Sequence, residues 1–275
     1  MSDLIIYCIN LKHRLDRWNR FESQEALIEL KAAHTFKRFE GVNGKEIDVQ
    51  NDSRVSTRTK RNIRDNIRRS HEELDTVGGV GCYLSHYNIW KKFVEMDKEE
   101  YCLIFEDDVY LDPAFAKMFE ITFEEFKKEN VADVWWLKNP NNFYSNKDDI
   151  PAYSVAENFN GRWIYDVCST APGYVISKHA AKMLIASAFP IEMHVDLYIC
   201  LLRDMKKVRT VYNRDTNVGV YSVTLYDTDI QSDRSCKICD IPKNFHTKGN
   251  ILISLPHLCF GIAAILTLYL LGKKR

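Results

Sequence analysis

An apolar run ends in three consecutive acids at Leu103-Ile104-Phe105-Glu106-Asp107-Asp108-Val109. Neighbouring carboxylates repel one another, and a divalent cation offsets that repulsion. Hard carboxylate oxygens suit Mg²⁺ or Mn²⁺, which keep coordination positions for water and for the phosphate oxygens of a substrate. If the strand continues through the triplet, Glu106 and Asp108 project to one side and Asp107 to the other. A solvated strand end that caps the following helix would carry the same residues without an ion.

The elements around the triplet decide where it sits. Residues 4–9 form a short β-branched run ended by Asn10, and residues 16–33 carry Trp18, Phe21, Leu27 and Leu30 at helical spacing. An extended piece at 35–39 leads into Glu40-Gly41-Val42-Asn43-Gly44, a turn signal. Gly78-Gly79-Val80-Gly81 opens a helix that runs to Val94, and residues 101–105 are the buried strand behind the acids. A helix at 113–129, a strand at 131–137, an aromatic and polar loop at 139–162, a strand at 173–177 and a helix at 178–188 follow. The order is that of an α/β fold, in which ligands bind beyond the carboxyl ends of the strands.

Composition bounds the function. A chain of 275 residues with 45% hydrophobic and 28% charged residues folds, and 11 Gly with 7 Pro exclude a collagenous or low-complexity protein. With 38 basic against 38 acidic residues there is no overall field to capture nucleic acid, so no nucleic-acid partner is expected. Residues 54–69 concentrate Arg54, Arg58, Lys60, Arg61, Arg64, Arg68 and Arg69, a solvated helix or flap, or a patch facing anionic lipid or phosphate. Cys8, Cys82, Cys102, Cys168 and Cys200 sit in apolar surroundings and read as buried thiols. Cys236 and Cys239 form a lone C-x-x-C, without the second pair or His ligands a zinc site needs.

A mean hydropathy of −0.32 excludes a multi-span membrane protein. Residues 251–271, ILISLPHLCFGIAAILTLYLL, nevertheless hold no formal charge, and a helix of that length covers about 30 Å, one hydrocarbon core. The segment is expected to be a transmembrane anchor closed by Lys273, Lys274 and Arg275; a buried C-terminal helix is the other reading. The apolar start of the chain is too short for a signal peptide. The expected organisation is a catalytic domain at 1–240, a linker at 241–250 and the anchor at 251–271. The simplest topology is a cytosolic body tethered to a membrane, with an endoplasmic reticulum or Golgi lumen left open.

Six ordered segments carry a resemblance. They are Tyr7-Cys8-Ile9-Asn10-Leu11-Lys12 with Arg14, Asp16 and Arg17; Phe39-Glu40-Gly41-Val42-Asn43-Gly44; Gly81-Cys82-Tyr83-Leu84-Ser85-His86 with Trp90; Phe105-Glu106-Asp107-Asp108-Val109; Pro172-Gly173-Tyr174-Val175-Ile176-Ser177 with Ala181; and Pro190-Ile191-Glu192 with Asp196. In this order the chain resembles glycosyltransferase family 25, the lipooligosaccharide and procollagen β-galactosyltransferase family. It departs at Leu15, where the family usually has Pro, in the basic stretch before Thr76, and in the C-terminal apolar run.

The resemblance implies a GT-A-like, Rossmann-related nucleotide-sugar-binding domain and inverting transfer, usually of galactose from UDP-galactose with Mn²⁺. It implies a cation at Asp108 with Glu106, and Asp107 in support. Asn10, Arg14 and Arg17, with the turn at Asn43 and Gly44, would line the nucleotide, and Ser85 and His86 would hydrogen-bond phosphate or hydroxyls. Asp196 is the implied general base, with Glu192 as runner-up, and the acceptor is a glycan or a protein hydroxyl. Trp163 and Tyr144 are candidate acceptor platforms; residues 226–232 and His246 are candidates for a closing segment over the donor. The competing reading is a membrane-tethered carbohydrate-binding or adhesion-like protein on the same fold that has lost turnover.

Overall fold

The computed structural model describes residues 3–68, 70, 73–130, 132–137, 157–159, 163–165, 171–213 and 220–222. All belong to one compact unit, Met1–Arg234. The expected linker and anchor, along with Tyr144, residues 226–232 and His246, lie outside the described residues. Among the described residues no helix is long and apolar enough to cross a membrane.

The chain begins β1 (Leu4–Asn10), α1 (Leu15–Glu22), α2 (Glu25–Ala33), β2 (Thr35–Glu40), a 3₁₀ turn (Gly44–Glu46), α3 (Thr57–Asp65) and α4 (Val77–Val94). It continues with β3 (Tyr101–Glu106), β4 (Val109–Leu111), α5 (Phe115–Glu129), β5 (Val134–Trp136), β6 (Glu157–Phe159), β7 (Trp163–Tyr165) and β8 (Gly173–Ser177). The last elements are α6 (Lys178–Ala186), α7 (Val195–Asp204), β9 (Thr210–Asn213) and β10 (Val220–Ser222). The main sheet has eight strands in the order β2-β1-β3-β8-β5-β9-β7-β6, and β4 pairs with β10 in a separate two-stranded ribbon. The sheet is mixed: β1 runs parallel to both β2 and β3, whereas β8 is antiparallel to β3. This is the α/β architecture expected from the order of elements.

The alternation of side chains along the strands makes two cores. Ile5 and Tyr7 of β1 and Cys102 and Ile104 of β3 join one apolar cluster with residues of α4, α6 and α7. Leu4, Ile6, Cys8, Leu103 and Phe105 point the other way, into a cluster with α1, α2 and α5. Both faces of the strands are therefore covered, which is why β1 and β3 read as continuous apolar runs.

Two local expectations need correction. The helix expected over 16–33 is two helices, because Gln24 takes an extended backbone. Its side chain bridges to β4, donating to the Val109 carbonyl at 3.0 Å and accepting from Leu111 N–H at 2.7 Å. Strand β3 also ends at Glu106, and Asp107 and Asp108 lie in the turn that follows. The two-residue alternation therefore stops before it could place Asp107 opposite Asp108.

Candidate functional site

Strand β1 has β2 on one side and β3 on the other, so the chain reverses its direction of travel across the sheet at β1 and β3. The crevice beyond their carboxyl ends is where such sheets bind ligands. In the register of this pair Ile9 lies opposite Glu106, so Asn10 and the acid triplet emerge together. A cleft opens there, lined among others by Ile9, Arg17, Asn43, Cys82, Glu106 and Asp108, with a cavity volume of about 130 Å³.

Arg17, on the buried face of α1, holds two of the acids. Its Nη1 lies 3.1 Å from Asp107 Oδ1 and its Nη2 lies 3.1 Å from Asp108 Oδ2. Asn10 positions the first of these from behind: its Nδ2 donates to Asp107 Oδ2 at 2.5 Å and to the Arg14 carbonyl at 3.0 Å, and its Oδ1 accepts from Arg38. Asp108 is left half-satisfied. Its Oδ1 is buried and has no hydrogen-bond partner among the described residues. Burial, with the nearby charge of Glu106, raises the Asp108 carboxyl to about 7 despite Arg17, and burial likewise raises Asp107.

An orphaned carboxylate oxygen beside another carboxylate, at the base of a cleft, fits a divalent cation. Hard oxygen donors are the chemistry that Mg²⁺ or Mn²⁺ selects, and Asp108 and Glu106 are the residues that would hold it.

The opposite wall comes from the turn after β2 and from α4, locked together by glycines. A Cβ on Gly44 would meet the Val77 carbonyl at 1.8 Å, and one on Gly81 would meet the Val42 carbonyl at 2.5 Å. Only residues without a side chain permit this approach. Ser85 completes the joint, accepting from Val42 N–H at 2.8 Å and donating to the Gly81 carbonyl at 2.7 Å. The N-terminus of α4 is capped by Thr76, which accepts from Gly79 N–H at 3.0 Å.

Of the residues singled out in the sequence, Arg17, Asn43, Gly44, Ser85, Glu106, Asp107 and Asp108 line the cleft. Asn10 stands behind it, buried and fully occupied. Arg14 is tied to Asp16 at 2.9 Å and does not line the cleft. His86 is wholly buried one layer below, with Nδ1 at 2.8 Å from Tyr174 Oη and Nε2 at 3.4 Å from Glu106 Oε1. Asp196, in the first turn of α7, is buried outside the lining, and burial raises its carboxyl although His194 opposes the shift. Glu192 is exposed, and its backbone carbonyl accepts from Leu74 N–H. Trp163 is no acceptor platform: it is fully buried and packs edge-on against Trp135. His13 and Lys45 also line the cleft, and Cys82, expected to be buried, is partly exposed there. Their adjacency to Asn10, Gly44 and Gly81 in the sequence was the available signal.

The mixed α/β sheet places this acidic cleft at its direction reversal, where open α/β sheets bind their ligands. The chain belongs to glycosyltransferase family 25: residues 3–199 match the profile of that family, described as an LPS biosynthesis protein family. It is 29% identical over 208 residues to a glycosyltransferase 25 family member of Drosophila melanogaster, across 74% of this chain and 31% of the fly protein. It is 32% identical over 201 residues to procollagen galactosyltransferase 1-A of Xenopus laevis, across 72% of this chain and 31% of the frog protein. Lipooligosaccharide biosynthesis protein lic2B of Haemophilus influenzae is 31% identical over 166 residues, 58% of this chain and 60% of that protein. The chain thus spans less than a third of the length of these two animal relatives.

Proposed function

We propose that the protein is a glycosyltransferase that moves a hexose, galactose from UDP-galactose first among candidates, to a glycan or protein hydroxyl with inversion, on a GT-A-like, Rossmann-related scaffold. The observation that carries this reading is the half-satisfied Asp108, whose free oxygen is buried beside Glu106 in the cleft beyond the ends of β1 and β3.

Breaking the bond between the sugar and UDP develops negative charge on the departing diphosphate. Mn²⁺ or Mg²⁺ held by Asp108 and Glu106 would supply Lewis-acid stabilisation of that charge. Arg17 fixes both aspartates, so one Asp108 oxygen stays engaged while the other is left for ligation. Lys45 and His13 bring positive or donor groups to the cleft wall, and the Asn43-Gly44 backbone forms the side facing the nucleotide. Inversion requires a base on the face of the sugar opposite UDP. Asp196 is assigned that role, its raised carboxyl suiting proton uptake, and exposed Glu192 is the second candidate. The segment at 251–271 is assigned to a membrane anchor, with the catalytic body on the cytosolic side.

The test is release of UDP from a panel of UDP-sugars by the full chain in detergent, with Mn²⁺ or with a chelator. Metal-dependent release from one donor is expected, and Asp108→Asn is expected to lower turnover about 10²–10³-fold, the scale of losing a principal charge-stabilising group. Turnover unchanged by Asp108→Asn overturns the ligand assignment. Absence of both UDP binding and Mn²⁺ binding favours the carbohydrate-binding reading instead.

A further inference from the structure

Beneath the cleft floor lies a second set of potential ligand atoms whose chemistry differs from that of the aspartates. Cys82 and His86 stand four residues apart on α4, so both leave the same face of the helix, toward the end of β3. Glu106 Oε1 is 3.5 Å from Cys82 Sγ and 3.4 Å from His86 Nε2. The three ligand atoms all fall within 4.8 Å of one another. Tetrahedral zinc with bonds of about 2.0 Å to N and O and about 2.3 Å to S has ligand-to-ligand edges of roughly 3.3–3.5 Å. Two of the three edges therefore stand near coordination length before any ion enters, and closing the third needs a shift of no more than about 1.3 Å.

We infer that Cys82, His86 and Glu106 form a thiolate, imidazole and carboxylate site for a borderline-soft divalent ion, Zn²⁺ being the biological metal that fits. A thiolate ligand distinguishes it from the all-oxygen pair at Asp108, which selects Mg²⁺ or Mn²⁺. Three protein ligands leave a fourth position, and Cys82 and Glu106 both face the cleft from which an ion or water would fill it. The supporting layer is already built. His86 Nδ1 lies 2.8 Å from Tyr174 Oη, which also accepts the Trp90 indole N–H at 3.0 Å. In the metal-bound form the imidazole proton sits on Nδ1 and donates to Tyr174, which leaves the Nε2 lone pair to the ion. Without an ion the Cys82 thiol and His86 Nε2–H both donate to Glu106; on binding, the imidazole proton moves to the Nδ1 tautomer, the thiol proton leaves to solvent, and sulfur and Nε2 bond the metal.

Glu106 serves both sites. Zinc bound here withdraws it from the cation at Asp108, so zinc is an inhibitor of transfer. That consequence rests on the reading under Proposed function; the binding itself does not.

The test uses the full chain carrying Cys236→Ser and Cys239→Ser, which removes the separate C-x-x-C, with Co²⁺ as a spectroscopic probe. A thiolate-to-cobalt charge-transfer band with tetrahedral visible absorption, saturating at one equivalent and displaced by Zn²⁺, is expected. Cys82→Ser is expected to abolish the band, and Tyr174→Phe to lower cobalt affinity about 10–100-fold, as loss of an outer-layer partner does. No band in the parent, or an undiminished band in Cys82→Ser, overturns the inference. If circular dichroism shows Cys82→Ser to be unfolded, alkylation of the parent decides. Zn²⁺ should slow modification of Cys82, mapped by peptide mass spectrometry, because the sulfur is then engaged as a ligand; an unchanged rate overturns the site. Absence of UDP release with Mn²⁺ counts against the enzyme reading alone, and the cobalt spectrum still judges the site.

Discussion

The two faces of the central sheet use aromatic side chains for opposite purposes. Against α5, Phe119 stacks on Phe115, Phe123 and Trp135 with ring centroids 5.5–5.6 Å apart and interplanar angles of 5–20°. The indole nitrogens of Trp135 and Trp163 on that side have no hydrogen-bond partner among the described residues, as is also true of Trp136 Nε1 and Tyr7 Oη on the other face. Against α4 several of the aromatics form a chain of polar contacts. Trp90 donates to Tyr174, Tyr174 meets His86, and His86 reaches Glu106 at 3.4 Å. Tyr83 and Tyr198 on the same side donate to the Ala188 and Leu184 carbonyls, each at 2.7 Å. One face fills volume, whereas the other fixes an acid at the cleft. Residue type alone does not separate packing from positioning; the hydrogen-bond partner does.

The largest expected effect tests the packing face. Phe119→Ala should destabilise the fold by about 3–5 kcal/mol, since it empties the centre of a stack with no polar partner to reorganise around. Thermal unfolding would show a fall of about 2–4 °C for each kcal/mol. The surviving folded molecules should bind UDP and Mn²⁺ as the parent does. A specific loss of ligand binding at a temperature where the variant is folded would break the division between the faces.

The next effect tests the joint between the turn after β2 and α4. An added methyl at Gly44 would lie 1.8 Å from the Val77 carbonyl, so Gly44→Ala must push the turn off the helix. The cost should approach about 3 kcal/mol, the upper range for overpacking. UDP affinity should fall with it, because the displaced turn is a cleft wall. Calorimetric titration with UDP checks this; unchanged affinity would remove the wall from the nucleotide site.

Asp108→Asn should act in the opposite direction. The folded protein holds this carboxyl at about 7, above its unfolded value. A group raised in this way favours the fold fully below the unfolded value near 4, and that contribution is lost as pH rises through about 7. The asparagine variant should therefore gain over the metal-free parent as pH rises, by about 2 kcal/mol at pH 8, and gain nothing near pH 4. The loss of one Arg17 contact keeps the gain below the full linkage value. Melting curves across this range in chelator would check it, and a variant less stable than the parent at pH 8 would deny that Asp108 is strained without a cation.

The same division explains what was legible in the sequence. The runs at 4–9, 101–105 and 173–177 became β1, β3 and β8 because strands covered on both faces carry apolar residues throughout. The acid triplet and the Asn43-Gly44 turn were visible because charge and glycine are conspicuous near apolar strands. The break at Gln24 was not, since its cause is a hydrogen bond to β4 some 85 residues away. Trp163 was misread because an indole in a loop-like stretch looks the same whether it meets a sugar or Trp135. Cys82 read as a buried thiol because its neighbours in the chain are apolar, whereas its neighbour in space is Glu106.

The smallest effects sharpen the comparison most, because they change a single oxygen on each face. Tyr174→Phe leaves the Trp90 N–H and His86 without their shared partner in a fully buried setting. Its cost should be about 1–2 kcal/mol, the scale of an unsatisfied buried group. Phe119→Tyr is the mirror experiment: it adds a hydroxyl to a stack that offers no polar group and should cost a similar amount, about 1–3 kcal/mol, through the unpaired oxygen and crowding. Chemical denaturation of both variants at one pH measures the pair. If aromatic rings served the same purpose on both faces, deleting the first oxygen would be close to neutral while adding the second was costly. Two losses of similar size require that α4 and β8 be organised around a hydroxyl, and α5 and β5 around its exclusion.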